Sequence, residues 1–431
     1  MNVSKKSYNK NKIFDFAKKI FPYPRSLTGN GVRKTLKDIK SIIPKLKIIE
    51  IPSGTKAFDW KIPLEWSVSD AYIIDPDGKK ICNYKKNNLH LVSYSHSVNK
   101  KIKLEDLNKK LHSLPKQPKA IPYITSYYKK TWGFAIAHDQ RKKLKKGNYQ
   151  VVIKSSLFQG HMTYGELFIK GKKKKEILLS TYICHPSMAN NEVSGPTVLT
   201  FLADWITKKK IRNYSYRIIF VPETIGSIFY ISRNLKKLKK NVIAGFVLTC
   251  LGDDRNYSYI PSRNGGTLSD RVAKHVLKWK IKKYKNYSWL DRGSDERQYC
   301  APGVDLPVCS LLRTKFLEYP EYHTSLDKIG TVVTQKGLNG SLEIYKNCID
   351  VIENNFKPKS KILCEPFLSK RNLYPTLSTK NQKNKIPNLL IDVISYSDGK
   401  KSILEIADLC NASIWELFDI CKLLKKHKII Y

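Results

Sequence analysis

EILLSTYICHPSMANNEVSGPTVLTFLADWI, residues 176–206, decides the fold. It opens with an apolar run of strand length, passes through a polar cluster, and closes on an apolar helical pattern. The same unit recurs downstream: YRIIFVP then GSIFYISRNL, VIAGFVLTCLG then RVAKHVLKWK, and last LPVCSLL. Strands alternating with helices over 161–357 predict an α/β fold, a mostly parallel sheet sandwiched by helices. Ligands of such sheets gather at the carboxyl ends of the strands.

Four strand ends carry chemistry. His185 follows the first strand and Glu223, in PETIGS, the second. Asp253 and Asp254 follow the third, and His323, in EYPEYHTSLD, comes after LPVCSLL. Imidazole with carboxylate is the ligand set of a catalytic zinc, and a carboxylate not bound to metal serves as general base. Plainer readings stand beside this one. Glu223 also suits the first turn of a helix, and Asp253–Asp254 suit a simple turn. His90, His96, His112 and His275 read as packed or surface residues.

Outward from this block the texture changes. Residues 1–47 read as N-terminal helices with a Pro-containing break at FPYPRSLTGNG. Residues 48–150 carry short β-like runs (KIIEIP, DAYIIDP, NLHLVSY, YQVVIKS) and dense aromatics, and read as a β-rich inserted domain. The α/β domain is expected over 151–365 and a Pro-, Lys- and Asn-rich linker over 366–387. Residues 388–431 show two helices joined by a tight turn and a hydrophobic tail, which predicts a winged-helix-like domain.

Composition narrows the function. With 41% hydrophobic and 11% aromatic residues in 431, the chain can build packed cores, with a prior of two or three domains. No run approaches 18 apolar residues, so no membrane span is expected. The basic N-terminus lacks the apolar segment of a signal peptide, which places the expected location in the cytoplasm. Nine scattered cysteines without a C-x-x-C pair read as buried thiols.

The net charge of +43 points toward polyanions, yet 66 of the 79 basic residues are lysines spread along the whole chain. Nucleic-acid readers favour the arginine fork. The last helix, IWELFDICKLLKK, carries Glu416 and Asp419 near its start, where DNA readers place positive charge. Nucleic acid is therefore not the expected partner, and the terminal module reads as an element for protein–protein or intramolecular docking.

Taken together, CHPSMANNEVSG, FVPETIGS, LTCLGDD, SDERQYCAPGVDLPV and YHTSLD resemble the zinc exopeptidases of the aminopeptidase superfamily. With PSGTKAFDWKIPLEW, NNLHLVSYS and IPYITSYYKKTWGF, nearly the whole chain is similar to a bacterial aminopeptidase-like family often encoded among surface-polysaccharide genes. That family carries a β-rich inserted domain and a C-terminal winged helix. The resemblance implies a metal-dependent aminopeptidase-like hydrolase of a small peptide or amide, tied to surface-polysaccharide biosynthesis.

The departures from that pattern bear on activity. Asn191 stands where the superfamily has the aspartate bridging two zincs, Thr224 replaces the second Glu of the E-E pair, and Thr249 replaces a third carboxylate. What remains implies one zinc on His185 and His323, with Asp253 as third ligand and Asp254 or Glu223 as alternatives. Glu223 is the expected base, with Asn191 behind the ligands and Asp327 orienting His323. Asp295 or Glu296 is expected to hold a substrate ammonium and Arg297 an anionic group, although all three also read as surface loop. Two alternatives remain: a catalytically reduced scaffold that binds a peptide or glycan precursor, and a nucleic-acid-binding regulator.

Overall fold

The strands Glu176–Tyr182, Ser215–Val221 and Val308–Leu312 are buried along their whole length. Continuous apolar runs of this kind belong to the middle of a sheet covered on both faces. In the computed structural model, which describes residues 11–373 and 385–431, they form the centre of an eight-stranded sheet. Four parallel strands lie side by side there: Ser215–Val221, Glu176–Tyr182, Val242–Val247 and Val308–Leu312. Antiparallel strands extend it at both edges, His161–Ile169 and Lys47–Pro52 on one side and Ser258–Ile260 on the other. The mixed α/β architecture and parallel centre match the alternation read from the sequence.

The β-rich segment differs from expectation at both ends. Lys47–Pro52 pairs in register with His161–Glu166 and so belongs to the main sheet. The smaller four-stranded sheet is made of Lys80–Ile81, Glu65–Ile74, Asn148–Phe158 and Val98–Lys103, so its third strand runs past the expected limit at 150. Pairing between distant segments drew these limits, which local texture does not report. The first compact unit, Met1–Asp270 with Lys283–Glu343, contains both sheets.

The second unit joins Arg271–Lys282 to Ile344–Tyr431 and is wider than the 388–431 read from sequence. Its helices Ile403–Leu409 and Ile414–Lys426 each begin with a capping box, Ser402 with Glu405 and Ser413 with Glu416. Glu416 thus serves the helix start itself. His275 is buried, accepts the Ile414 N–H at 3.0 Å, and meets Asp408 at 2.7 Å through Nδ1. Bridges Lys359–Asp398 and Ser360–Ile430 complete the unit. Of the expected linker, residues 374–384 lie outside the described residues. No described helix is long and apolar enough to cross a membrane.

Candidate functional site

Local backbone chemistry positions the site. After the strand Glu176–Tyr182 the chain carries His185, winds through a wide turn at Ala189–Val193, and enters the helix Ser194–Lys208. Gly195 lets that helix close on the sheet: a Cβ there would stand 2.4 Å from the Leu248 carbonyl oxygen. One strand over, Thr224 adopts φ 64° between Ser215–Val221 and the helix Ile225–Asn241. His323 is also left-handed at φ 54°. Such backbone is costly for a β-branched threonine and clusters at functional sites.

His185, Glu223 and His323 line one cavity of about 390 Å³. His185 Nε2 lies 3.5 Å from Glu223 Oε2, and the two imidazole centroids are 5.8 Å apart. Tyr123 sets its ring edge-on to both, at 5.3 and 5.2 Å, while Tyr322 stacks on His323 at 3.9 Å. Burial and the facing His185 push the His323 pKa down to about 3, so its imidazole stays neutral. Burial opposes charge on His185, but Cys184 and Glu192 outweigh it and hold its pKa well above the ordinary value. Burial raises the Glu223 carboxyl above its usual range, the direction a general base near neutral pH requires. A larger cavity, about 670 Å³, is lined by Lys18, Lys85, Lys86 and Lys328 but contains none of these three residues.

Behind His185 lies a knot that sequence reasoning missed. Glu192 Oε2 meets His185 Nδ1 at 2.9 Å, and Arg25 Nε donates to Glu192 Oε1 at 3.1 Å and to the His185 carbonyl at 3.0 Å. Arg25 Nη1 donates to the Ile20 carbonyl at 2.6 Å. A carboxylate on Nδ1 fixes the tautomer and turns Nε2 toward the cavity. Glu192 sits one position past Asn191 in the motif itself, a signal available in the sequence. Arg25 is 167 residues from Glu192, and no local pattern announces it.

Several expected roles are corrected. Asp253 is buried, and its carboxylate accepts from Thr314 N, Thr314 Oγ1, Arg255 N and Asn190 Nδ2 at 2.7–3.1 Å. Four donors saturate it, so it organises loops and is not presented to the histidines. Asp254 accepts from Thr334 Oγ1. Asp327 does not orient His323; it accepts from the backbone N–H groups of Asn190 and Asn191 and from the Tyr319 hydroxyl. Asp295 and Glu296 are fully buried rather than on a rim. Asp295 Oδ1 accepts from Thr224 N and Ser227 Oγ, and Glu296 Oε1 from Gly293 N and Ser294 N. Only Arg297 of that trio lines the cavity.

Asp327→Asn tests the loop assignment. The amide places an N–H₂ against backbone donors and should cost about 1–3 kcal/mol of stability. Chemical denaturation with an unchanged midpoint would remove Asp327 as the hub of this turn.

Could these residues hold a metal? Among the described residues, one group of three donors lies within 4.8 Å: Cys184, His185 and Glu192. That group is the knot itself, already supplied with the Arg25 guanidinium, and burial pushes the Cys184 thiol up to about 11. It is not a cation cradle. The cavity offers His185 through Nε2, once an ion displaces its proton, and the neutral His323. Asn191 Oδ1, outside the cavity lining, is a buried acceptor without a hydrogen-bond partner. Asn191 Nδ2 and the His185 ring are both held by Tyr182. Two imidazoles and a neutral oxygen suit one zinc, held less firmly than by carboxylates.

Comparison with known proteins agrees with this fold. Residues 14–355 match the family described as a domain of unknown function, DUF4910, and residues 357–431 match a winged helix-turn-helix family. A Clostridium acetobutylicum protein named for polysaccharide biosynthesis with an aminopeptidase-like domain is 43% identical over 400 residues, covering 92% of this chain and 90% of that one. A crystal structure of a candidate peptidase from the same organism superposes with TM-score 0.92 at 39% identity, covering 99% of this chain and 97% of the other. The zinc aminopeptidase BSAP of Bacillus subtilis shares the fold at TM-score 0.58 and 13% identity, over 80% of this chain and 95% of its own. The chain belongs to the DUF4910 family, an aminopeptidase-like α/β fold that carries a C-terminal winged helix.

Proposed function

We propose that the chain is a metal-dependent hydrolase of a small amide or peptide, acting in polysaccharide biosynthesis as its relative's name indicates. One observation carries this reading: His185, Glu223 and His323, from three separate strand ends, face a single cavity with Glu223 Oε2 3.5 Å from His185 Nε2. His185 through Nε2 and His323 would hold one zinc, with Asn191 Oδ1 as the available oxygen. A bound zinc would polarise a carbonyl and acidify water. Glu223 takes the water proton and returns it to the leaving nitrogen, while Ser294 Oγ, 2.9 Å from Glu223 Oε1, keeps the carboxylate aimed. Glu192 and Arg25 hold His185 in its tautomer.

We place the protein in the cytoplasm, because nine scattered cysteines without a C-x-x-C pair suit a reducing compartment. The terminal unit is proposed to dock a protein partner, since Glu416 and Asp419 oppose a phosphate backbone. A second reading, a scaffold that binds without turnover, is favoured by Asn191, Thr224 and Thr249 at positions where the superfamily carries carboxylates.

Elemental analysis decides between them. Close to one zinc per chain is expected, lost in His185→Ala and in His323→Ala while the fold persists, because a core of this size does not depend on an ion. No metal in protein purified without chelator would leave the scaffold reading standing. Full occupancy in either variant would return that histidine to the packed class.

A further inference from the structure

Resting on that reading of the site, we propose that its substrate is an N-acylated, anionic small molecule and not a peptide with a free amino terminus. The shared chemistry is an acylamino group on a framework bearing a carboxylate, as in an N-acyl amino acid or an N-acyl sugar acid.

Among the described residues, the cavity lining offers an ammonium a single carboxylate, Glu223. Ser294 Oγ holds one of its oxygens, and the other, 3.5 Å from His185 Nε2, is needed as the base. The nearby acids do not line the cavity. Asp295 and Glu296 bind backbone N–H groups, Glu192 binds Arg25 and His185, and Asp327 binds the turn at Asn190–Asn191; Asp295 keeps Oδ2 without a partner, but that oxygen is buried. A desolvated ammonium without a carboxylate is strongly disfavoured, whereas an acylated nitrogen carries no charge to bury.

The cavity does have something to hold an anion. Arg297 is anchored by Nε to the Ser294 carbonyl at 3.0 Å and by Nη2 to Thr224 Oγ1 at 2.9 Å. Its guanidinium is therefore fixed before ligand arrives, which lowers the entropy lost on binding a carboxylate. The β-rich segment adds aromatic lining to the same cavity. Trp60 and Tyr128 are 38% and 58% exposed with ring centroids 6.4 Å apart, and the Tyr128 hydroxyl is tied to the Lys61 carbonyl. Such faces take the apolar side of a ring.

The reaction balances as simple hydrolysis. Water oxygen bonds to the acyl carbon, the C–N bond breaks, and both water protons end on the nitrogen, one by way of Glu223. The products are a carboxylate and an ammonium, and among the described lining residues the ammonium meets no carboxylate beyond Glu223.

The experiment measures binding by calorimetry and hydrolysis by product amine, on the full chain with zinc supplied. The probes are N-acetylphenylalanine, N-acetylmuramic acid and phenylalanine amide, the last with a free ammonium and no carboxylate. At least one acetylated probe should bind about tenfold or more tighter than the amide, roughly the worth of one charge-assisted hydrogen bond. Which of the two it is separates an amino-acid from a sugar framework. Arg297→Ala should erase the preference and Arg297→Lys should keep part of it, with unchanged melting as control.

Tighter binding or faster cleavage of phenylalanine amide overturns the proposal while leaving the hydrolase reading intact. Selective binding of an acetylated probe with no turnover supports it and removes the hydrolase reading. Binding of none of the three overturns it.

Discussion

Glu223→Gln lowers turnover by a factor on the order of 10² or more, with the fold and the ligand affinity little changed. The glutamine keeps the size of the side chain and its contact with Ser294, and removes only the proton acceptor. Burial raises the Glu223 pKa and Ser294 holds one oxygen, leaving the other toward His185 Nε2. Metal content measured on the same variant gives a second readout. Zinc retained with turnover lost makes Glu223 the base. Zinc released makes it a ligand, since its oxygen already lies beside the imidazole nitrogen that would face an ion. Full turnover with full zinc leaves Glu223 as a helix start and the hydrolase reading without its base.

The largest stability effect is expected at Arg25. Its guanidinium and the Glu192 carboxylate are 1% and 0% exposed, so solvent screens their interaction very little. Arg25→Leu leaves Glu192 buried with only His185 to compensate it, and removes the donors that hold Ile20 and His185 carbonyls. Losing one partner of such a pair costs about 3–5 kcal/mol. Urea denaturation reads this directly. The double variant Arg25→Leu, Glu192→Gln should recover part of the loss, because it removes the stranded charge. A single-variant cost under about 1 kcal/mol, the scale of a surface pair, would show that the knot is not held by this ion pair.

Much of the fold was legible because it is written in local periodicity. Mostly apolar runs at 176–182, 215–221, 242–247 and 308–312 became the parallel centre, since a strand covered on both faces favours apolar residues on both of its sides. His185, Glu223 and His323 were legible for a related reason: each follows such a strand, and parallel strands bring their carboxyl ends to one edge. The close approach at Gly195, by contrast, shows only in the structure, where a Cβ would stand 2.4 Å from the Leu248 carbonyl oxygen.

The acidic residues were not legible. Asp253 and Glu223 look alike in sequence, each a carboxylate after a strand. Asp253 meets Thr314, 61 residues away, and Asn190, 63 residues away, and is consumed by their donors. Glu223 retains an oxygen toward the cavity. Asp295 and Glu296 have the composition of a surface loop, yet their carboxylates turn inward to backbone N–H groups left unsatisfied at a strained turn and a helix start. Thus the chain by itself determined the sheet, its strand ends and the two histidines, because strand period and strand-end position are local properties. Which carboxylates remain free for chemistry was decided only by the tertiary structure, because Asp253, Asp295 and Glu192 are bound by donors that folding brings from 61 to 167 residues away.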